Sequence, residues 1–386
     1  MSKKKIIKYS ILVFAILILL IILLVSLGNI KDIINVFQNH FKIGWFLLCI
    51  LLILLYAFTY KLSLIILVKR KYKHLKFRDL YFISGSEFFF NAITPFSTGG
   101  QPYQVYALKQ KNVSISDSTS QLLINFVAYQ VSLNIVSIIC VILYFNKLYT
   151  QIDNFIVFLV LGFSINIFIM ILLILIGTSK KFGNALIKLI SWICNLKLIK
   201  KFTKGDTSGI EKYVNDMQSA FKEMSKSLHV WLICLLTKIL ANVIYYSIPF
   251  VGFMVIGVTI DATNFMYCFA LTSFCLTTTI WVPLPGASGG AELVFLILFK
   301  TLIPVNSSGI NDATGMNADT IAQSGMLVWR FFTYYFMIFY GLFDYLMFDL
   351  FDSKSIKQNE IIADSIETNS IENDTIEENS NFKENN

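Results

Sequence analysis

A chain of 386 residues that is 56% hydrophobic and only 15% charged lacks the polar surface of a soluble domain, where charged residues reach about 25%. The formal charge of +8 hides an asymmetry: residues 351–386 carry nine acids and three lysines, a net of −6, which leaves +14 on the rest. Those basic residues lie in short loops beside apolar runs, where they set membrane orientation; a nucleic-acid reading would need a soluble basic face, and no domain is present to carry one.

In chain order, the apolar run after MSKKKIIKYS exceeds the core of a secretory signal, and no small-residue cleavage site follows it. It reads as a retained span at about 9–28. Further spans of the roughly 20 residues that cross a hydrocarbon core are expected at about 43–68, 119–145, 154–177, 228–258 and 322–349. The stretch 69–78 after the second span holds six Lys or Arg. Residues 178–226 hold ten lysines against four acids, with enough Leu, Ile and Trp to form amphipathic helices on the membrane surface.

Two apolar segments remain, and both are interrupted: 81–108 by TPFSTGGQP, and 264–303 by PLPGASGG at 283–290. Four of the six prolines fall in these interruptions. Proline removes a helix donor and glycine frees the backbone for non-helical angles, so each segment is expected to be two half-helices joined by an irregular turn. Charge decides whether the first one crosses. As a re-entrant hairpin it leaves 22 basic residues inside, and only Lys31, Lys42 and Lys147 in the outer loops; as a span it would place 178–226 outside, against the positive-inside rule.

The second half follows the same logic, with a loop at 304–321 that has no Lys or Arg. The fold class expected is therefore an all-α polytopic membrane protein of about six full spans plus two re-entrant broken-helix hairpins, arranged as an inverted repeat, the plan on which many transporters place a substrate site near the midplane. The membrane domain would cover 1–350, with a first half at about 43–145, a cytoplasmic linker at 178–226 and a second half at about 228–349. The acidic repeats of 351–386 read as a disordered cytoplasmic tail.

Ionisable residues at membrane depth default to function. Arg330 lies about eight residues, roughly 12 Å, into the last span, and the bland reading for it is a structural pair with Glu87 or Glu292. Lys238 is a candidate charge partner for either acid. Lys61 and Asp344, near cytoplasmic ends, read as snorkelling or interfacial, and Lys300 has an equally bland reading. Half-helices that start after each break offer free N–H groups to an anion, near Gln101, Tyr103 and Gln104 in one case and Ser288, Gly289 and Gly290 in the other. With Arg330 these could hold a phosphate, while Glu87 or Glu292 faces an ammonium. The expected headgroup path is Glu87, Asn91, Pro95, Gly99, Gly100, Gln101, Pro102, Gln104, Pro283, Pro285, Gly286, Gly289, Gly290, Glu292 and Arg330.

No nucleophile–base set, HExxH or phosphate loop occurs, and the six scattered cysteines and three distant histidines suggest neither disulfides nor zinc. No catalytic residue, metal or cofactor is expected.

The segments AITPFSTGGQPYQVYALK (92–109), PLPGASGGAE (283–292) and WRFFTYYFMIFYG (329–341) resemble, in order, three hallmark segments of the lysylphosphatidylglycerol synthase/flippase transmembrane family. That family forms the membrane part of the multiple peptide resistance factor. The resemblance covers roughly 10–350 and departs at Gln104, where many members carry Arg. It implies a flippase of the bacterial cytoplasmic membrane, termini cytoplasmic, that moves aminoacylated phosphatidylglycerol between leaflets and so contributes to resistance to cationic antimicrobial peptides. In the two-part members lysine transfer belongs to a C-terminal soluble synthase domain; residues 351–386 are polar and too few for one, so a transporter rather than a lysyltransferase is expected. The expected partner is membrane phospholipid, with a separately encoded synthase and a homodimer left open. The alternatives are a subunit or scaffold of a phosphatidylglycerol lysyltransferase system, or a transporter of another phospholipid or isoprenoid-linked lipid.

Overall fold

In a computed structural model of the chain, residues 30–152, 155–194, 208–279, 282, 284–307, 309–312 and 314–352 are described. The expected span at 9–28, the tail beyond residue 352 and Pro283 lie outside them.

The described residues are helical almost throughout. A short amphipathic α1 (Ile30–His40) leads into α2 (Ile43–Lys71), followed by α3 (Phe77–Ala92) and α4 (Gly100–Gln110) around a one-turn 3₁₀ segment at Pro95–Ser97. Next come α5 (Ile115–Gln151), α6 (Phe155–Thr178), α7 (Lys180–Cys194) and α8 (Ser208–Ser225). The second half opens with α9 (Leu228–Val255), then α10 (Phe265–Thr279) and α11 (Gly290–Phe299) around a 3₁₀ turn at Pro285–Ala287. It closes with α12 (Ala318–Asp352), which passes through a π-helical stretch at Phe331–Phe336. Five helices, α2, α5, α6, α9 and α12, are long and apolar enough to cross a membrane. They match five of the spans expected from sequence.

The broken segments fold as expected locally. The limbs α3, α4, α10 and α11 have 16, 11, 15 and 10 residues, each short of the roughly 20 a span needs. Within each segment the two limbs pack on each other, and the two breaks touch.

Contacts between the halves follow a reciprocal pattern. Helices α2 and α9 run antiparallel along their length: the Lys42 N–H donates to the Val255 carbonyl (2.8 Å), Lys238 Nζ reaches the Tyr60 carbonyl and Cys234 Sγ the Ser63 carbonyl. Limb α3 lies antiparallel on α12, with Tyr334 at Ala92 and Phe343 at Phe82. Limb α10 lies antiparallel on α5 in the same way, with Tyr267 at Gln151 and Ser273 at Ser137. Each broken segment therefore packs on the closing span of the other half.

Where helices pack in lipid, dispersion and close fit replace the hydrophobic drive. Stacked rings fill the second half, with centroids 3.9 Å apart for Phe295–Phe299 and 4.8 Å for Phe295–Trp329. The linker departs from expectation in part. The apolar face of α8 (Val214, Met217, Phe221) is buried against Leu123 and Val127 of α5 and Ile176 of α6 rather than left for a membrane surface. Helix α7 keeps Phe182, Leu189 and Trp192 exposed.

Candidate functional site

Both breaks use one local solution. A proline is followed by two residues in the left-handed region: Phe96 (φ 54°) and Ser97 (52°) after Pro95, Gly286 (64°) and Ala287 (54°) after Pro285. For non-glycine residues this costs about 1–3 kcal/mol each and persists where the surroundings over-determine it. At Gly286 the surroundings are visible, since a Cβ there would strike the ring of Tyr334.

The breaks form two adjoining cavities. The first, about 260 Å³, is lined by Glu87, Asn91 and Gln101 from the first broken segment and by the rings of Tyr56, Tyr60, Phe88, Tyr129 and Tyr245. The second, about 180 Å³, is lined by Gly286, Ala287, Thr279 and Arg330. Ser97, Tyr129, Tyr245, Thr333 and Tyr334 line both. The π-helical stretch that directly follows Arg330 turns Thr333 and Tyr334 toward this shared wall, a use to which such irregular turns are often put. The Tyr334 hydroxyl donates to the Ala92 carbonyl (3.0 Å), which ties α12 to the end of α3.

Arg330, 5% exposed, pairs through Nε with Glu292 Oε1 at 2.8 Å, and its Nη1 donates to the Gly286 carbonyl at 3.1 Å. The second Glu292 oxygen accepts the Gly289 N–H (2.7 Å). Of the two partners the sequence left open, the structure selects Glu292. Neither Nε, close to Glu292 as it is, nor Nη2 of Arg330 makes a hydrogen bond among the described residues, and a buried guanidinium with unspent donors beside a cavity suits an anionic oxygen.

Glu87 is held differently. It accepts from the Tyr60 hydroxyl (3.3 Å), Asn91 Nδ2 (3.2 Å) and Gln104 Nε2 (3.3 Å), all neutral donors. Lys238 forms no ion pair with it: Nζ donates to the Tyr60 carbonyl at 3.1 Å and lies 3.1 Å from the centroid of the Tyr60 ring. The pairing expected for Lys238 is therefore replaced by a cation–ring contact one residue removed. Gln130, on the same cavity, has no partner for either side-chain polar atom among the described residues.

The expectation of free N–H groups at both half-helix starts needs correction. Thr94 Oγ1 accepts the Gly99 N–H (2.9 Å), Asn91 Oδ1 the Gly100 N–H (2.8 Å) and Glu292 the Gly289 N–H, so these donors are occupied by the protein. Pro95, Gly99, Gly100, Pro102, Pro285, Gly289 and Gly290 shape the backbone without lining either cavity; Gln104 and Glu292 stand behind the lining and hold Glu87 and Arg330. Lys300 pairs with Asp319 at 2.6 Å on the surface. Lys61 and Asp344 do not snorkel: they are 0% and 1% exposed and paired with each other at 2.5 Å. The tyrosines and Gln130 went unnoticed in the sequence because aromatic residues are ordinary in a membrane span; only their convergence marks them.

An α-helical fold with five helices long and apolar enough to cross a membrane, and two broken segments that meet beside an aromatic-lined cavity, defines a class, the polytopic membrane proteins. Residues 9–341 match the family model described as the lysylphosphatidylglycerol synthase TM region, and the chain belongs to that family. No curated protein matches it significantly. The protein is a multi-pass membrane protein of the lysylphosphatidylglycerol system.

Proposed function

We propose that this chain is a flippase that moves phosphatidylglycerol, its aminoacylated form included, between the leaflets of a bacterial cytoplasmic membrane. The carrying observation is a pair of joined cavities, one bordered by the guanidinium of Arg330, whose Nη2 has no hydrogen-bond partner among the described residues, and the other lined by Glu87. A headgroup with one phosphate and one ammonium complements that arrangement. Aromatic faces attract cations when water is excluded, and the five rings around Glu87 supply such a wall. Gln104 bears on selectivity: where the resemblance places Arg in many members, a neutral amide here leaves Glu87 without a cationic neighbour in hydrogen-bond contact.

The reciprocal packing supports an inverted repeat with two re-entrant hairpins. Corresponding first spans, α2 and α9, are antiparallel, and each hairpin leans on the other half's last span. With the basic loops on the inner side, as the positive-inside rule favours, both termini would lie in the cytoplasm, and exposure of an aminoacylated lipid on the outer leaflet would repel cationic peptides.

The test compares outer-leaflet with total lysyl-phosphatidylglycerol in a host without family members, supplied with a synthase domain and labelled with a membrane-impermeant amine reagent. A larger outer fraction at unchanged total is expected. A higher total at unchanged outer fraction would instead make the chain a subunit or scaffold of synthesis, and no change in either would turn the search to another lipid.

A further inference from the structure

We propose that the buried Lys61–Asp344 pair is a proton-uptake site that couples the cavity to proton movement across the membrane. It lies outside both cavities, and nothing in the transport reading uses it. Asp344 Oδ2 is 2.5 Å from Lys61 Nζ, while Oδ1 has no hydrogen-bond partner among the described residues. A buried carboxylate with one unspent lone pair is a ready proton acceptor, and ionisable residues at membrane depth recur as proton relays.

A path to the site is present. Lys61 Nζ donates to the Tyr340 hydroxyl (3.0 Å), which is 2.7 Å from the hydroxyl of Tyr81, a half-buried residue just past the basic loop 69–78. The titratable groups that face Asp344 are Lys61 from α2, Tyr81 from α3 and Tyr340 from its own helix. Tyr103 of α4 packs on the neighbouring Tyr345, and the Asp79–Lys111–Asp352 cluster lies about two turns further along α12. Close approach is built in, because a Cβ on Gly85 would collide with both Asp344 and Lys61.

The chemistry balances with one proton. Uptake converts carboxylate and ammonium to carboxylic acid and ammonium, which dissolves the ion pair between α12 and α2; release restores it. The pair is linked to the cavity mechanically: the Tyr340 ring packs on Phe88 (6.4 Å), and the backbone at Gly341 abuts Phe88 and Phe89, next to Glu87. Only the coupling half of the proposal rests on the transport reading.

The test uses the full chain in liposomes containing lysyl-phosphatidylglycerol. Translocation is followed by amine labelling with and without a pH gradient, and infrared spectra are recorded from about pH 5 to 9. A gradient of one sign should raise the rate about fivefold or more, a protonophore should abolish that gain, and a carboxylic-acid band should titrate. Asp344→Asn should remove both band and gradient response; Tyr340→Phe, which keeps the ion pair, should weaken the response. A wild-type protein without a titrating band, or a band that survives Asp344→Asn, overturns the proton site. Translocation indifferent to the gradient overturns the coupling. If no lipid moves but the band is present and is lost in Asp344→Asn, the transport reading fails and the proton site stands.

Discussion

At the first break the backbone turns through Phe96 and Ser97; at the second it turns through Gly286 and Ala287. The angles are nearly the same, yet the surroundings differ. Phe96 is 54% exposed, whereas Gly286 is pressed against Tyr334 and its carbonyl accepts from Arg330. The charges differ as well. Glu292 is consumed by a direct ion pair, while Glu87 accepts from neutral donors only. One backbone device thus serves two tasks, a rigid anion-facing corner and a carboxylate kept available inside an aromatic wall.

Replacing Arg330 should test that contrast most severely. Arg330→Ala is expected to abolish translocation and, because it strands Glu292, to cost about 3–5 kcal/mol of stability, read as thermal aggregation in detergent. Arg330→Met with Glu292→Gln removes the stranded charge; it should recover most of the stability and none of the transport. Full activity in either variant would falsify the anion assignment.

Gly286→Ala should come next, at about 1–3 kcal/mol, since it demands both a left-handed backbone and space that Tyr334 occupies. Glu87→Gln keeps size and an oxygen that accepts from Tyr60 and Asn91, but removes the charge and the acceptor for Gln104. Transport of lysyl-phosphatidylglycerol should fall about tenfold, equivalent to about 1.4 kcal/mol, with unmodified phosphatidylglycerol much less affected. An equal fall for both lipids would make Glu87 a structural residue.

Tyr334→Phe deletes the bond to the Ala92 carbonyl and should cost about 1 kcal/mol. The smallest effect is expected at the exposed counterpart of Gly286: Phe96→Gly should change stability by less than about 1 kcal/mol, with relief of backbone strain offset by greater freedom of the unfolded chain. If Phe96→Gly proved as harmful as Gly286→Ala, the two breaks would not differ as described.

Apolar runs, prolines, glycines and loop charges were enough to give the helical membrane class, five of the spans and both breaks at the right residues. The physical reason is local: a run of about 20 apolar residues has few alternatives in lipid, and proline disrupts a helix wherever it falls in the interior. Arg330 was legible as an intramembrane charge, but its choice of Glu292 over Glu87 was not, because both acids sit beside a break and only the packing of α11 against α12 brings one of them to it. The same limit explains Lys61 and Asp344. Each lies near the end of a long span, where position along the chain suggests an interface; Gly85 and the antiparallel seat of α3 on α12 enclose them instead. The aromatic wall needed five rings from α2, α3, α5 and α9 to converge. Chain order decided which segments could be helices and where they must break, while side-chain partners more than 200 residues apart, such as Lys61 and Asp344, were decided by tertiary packing alone.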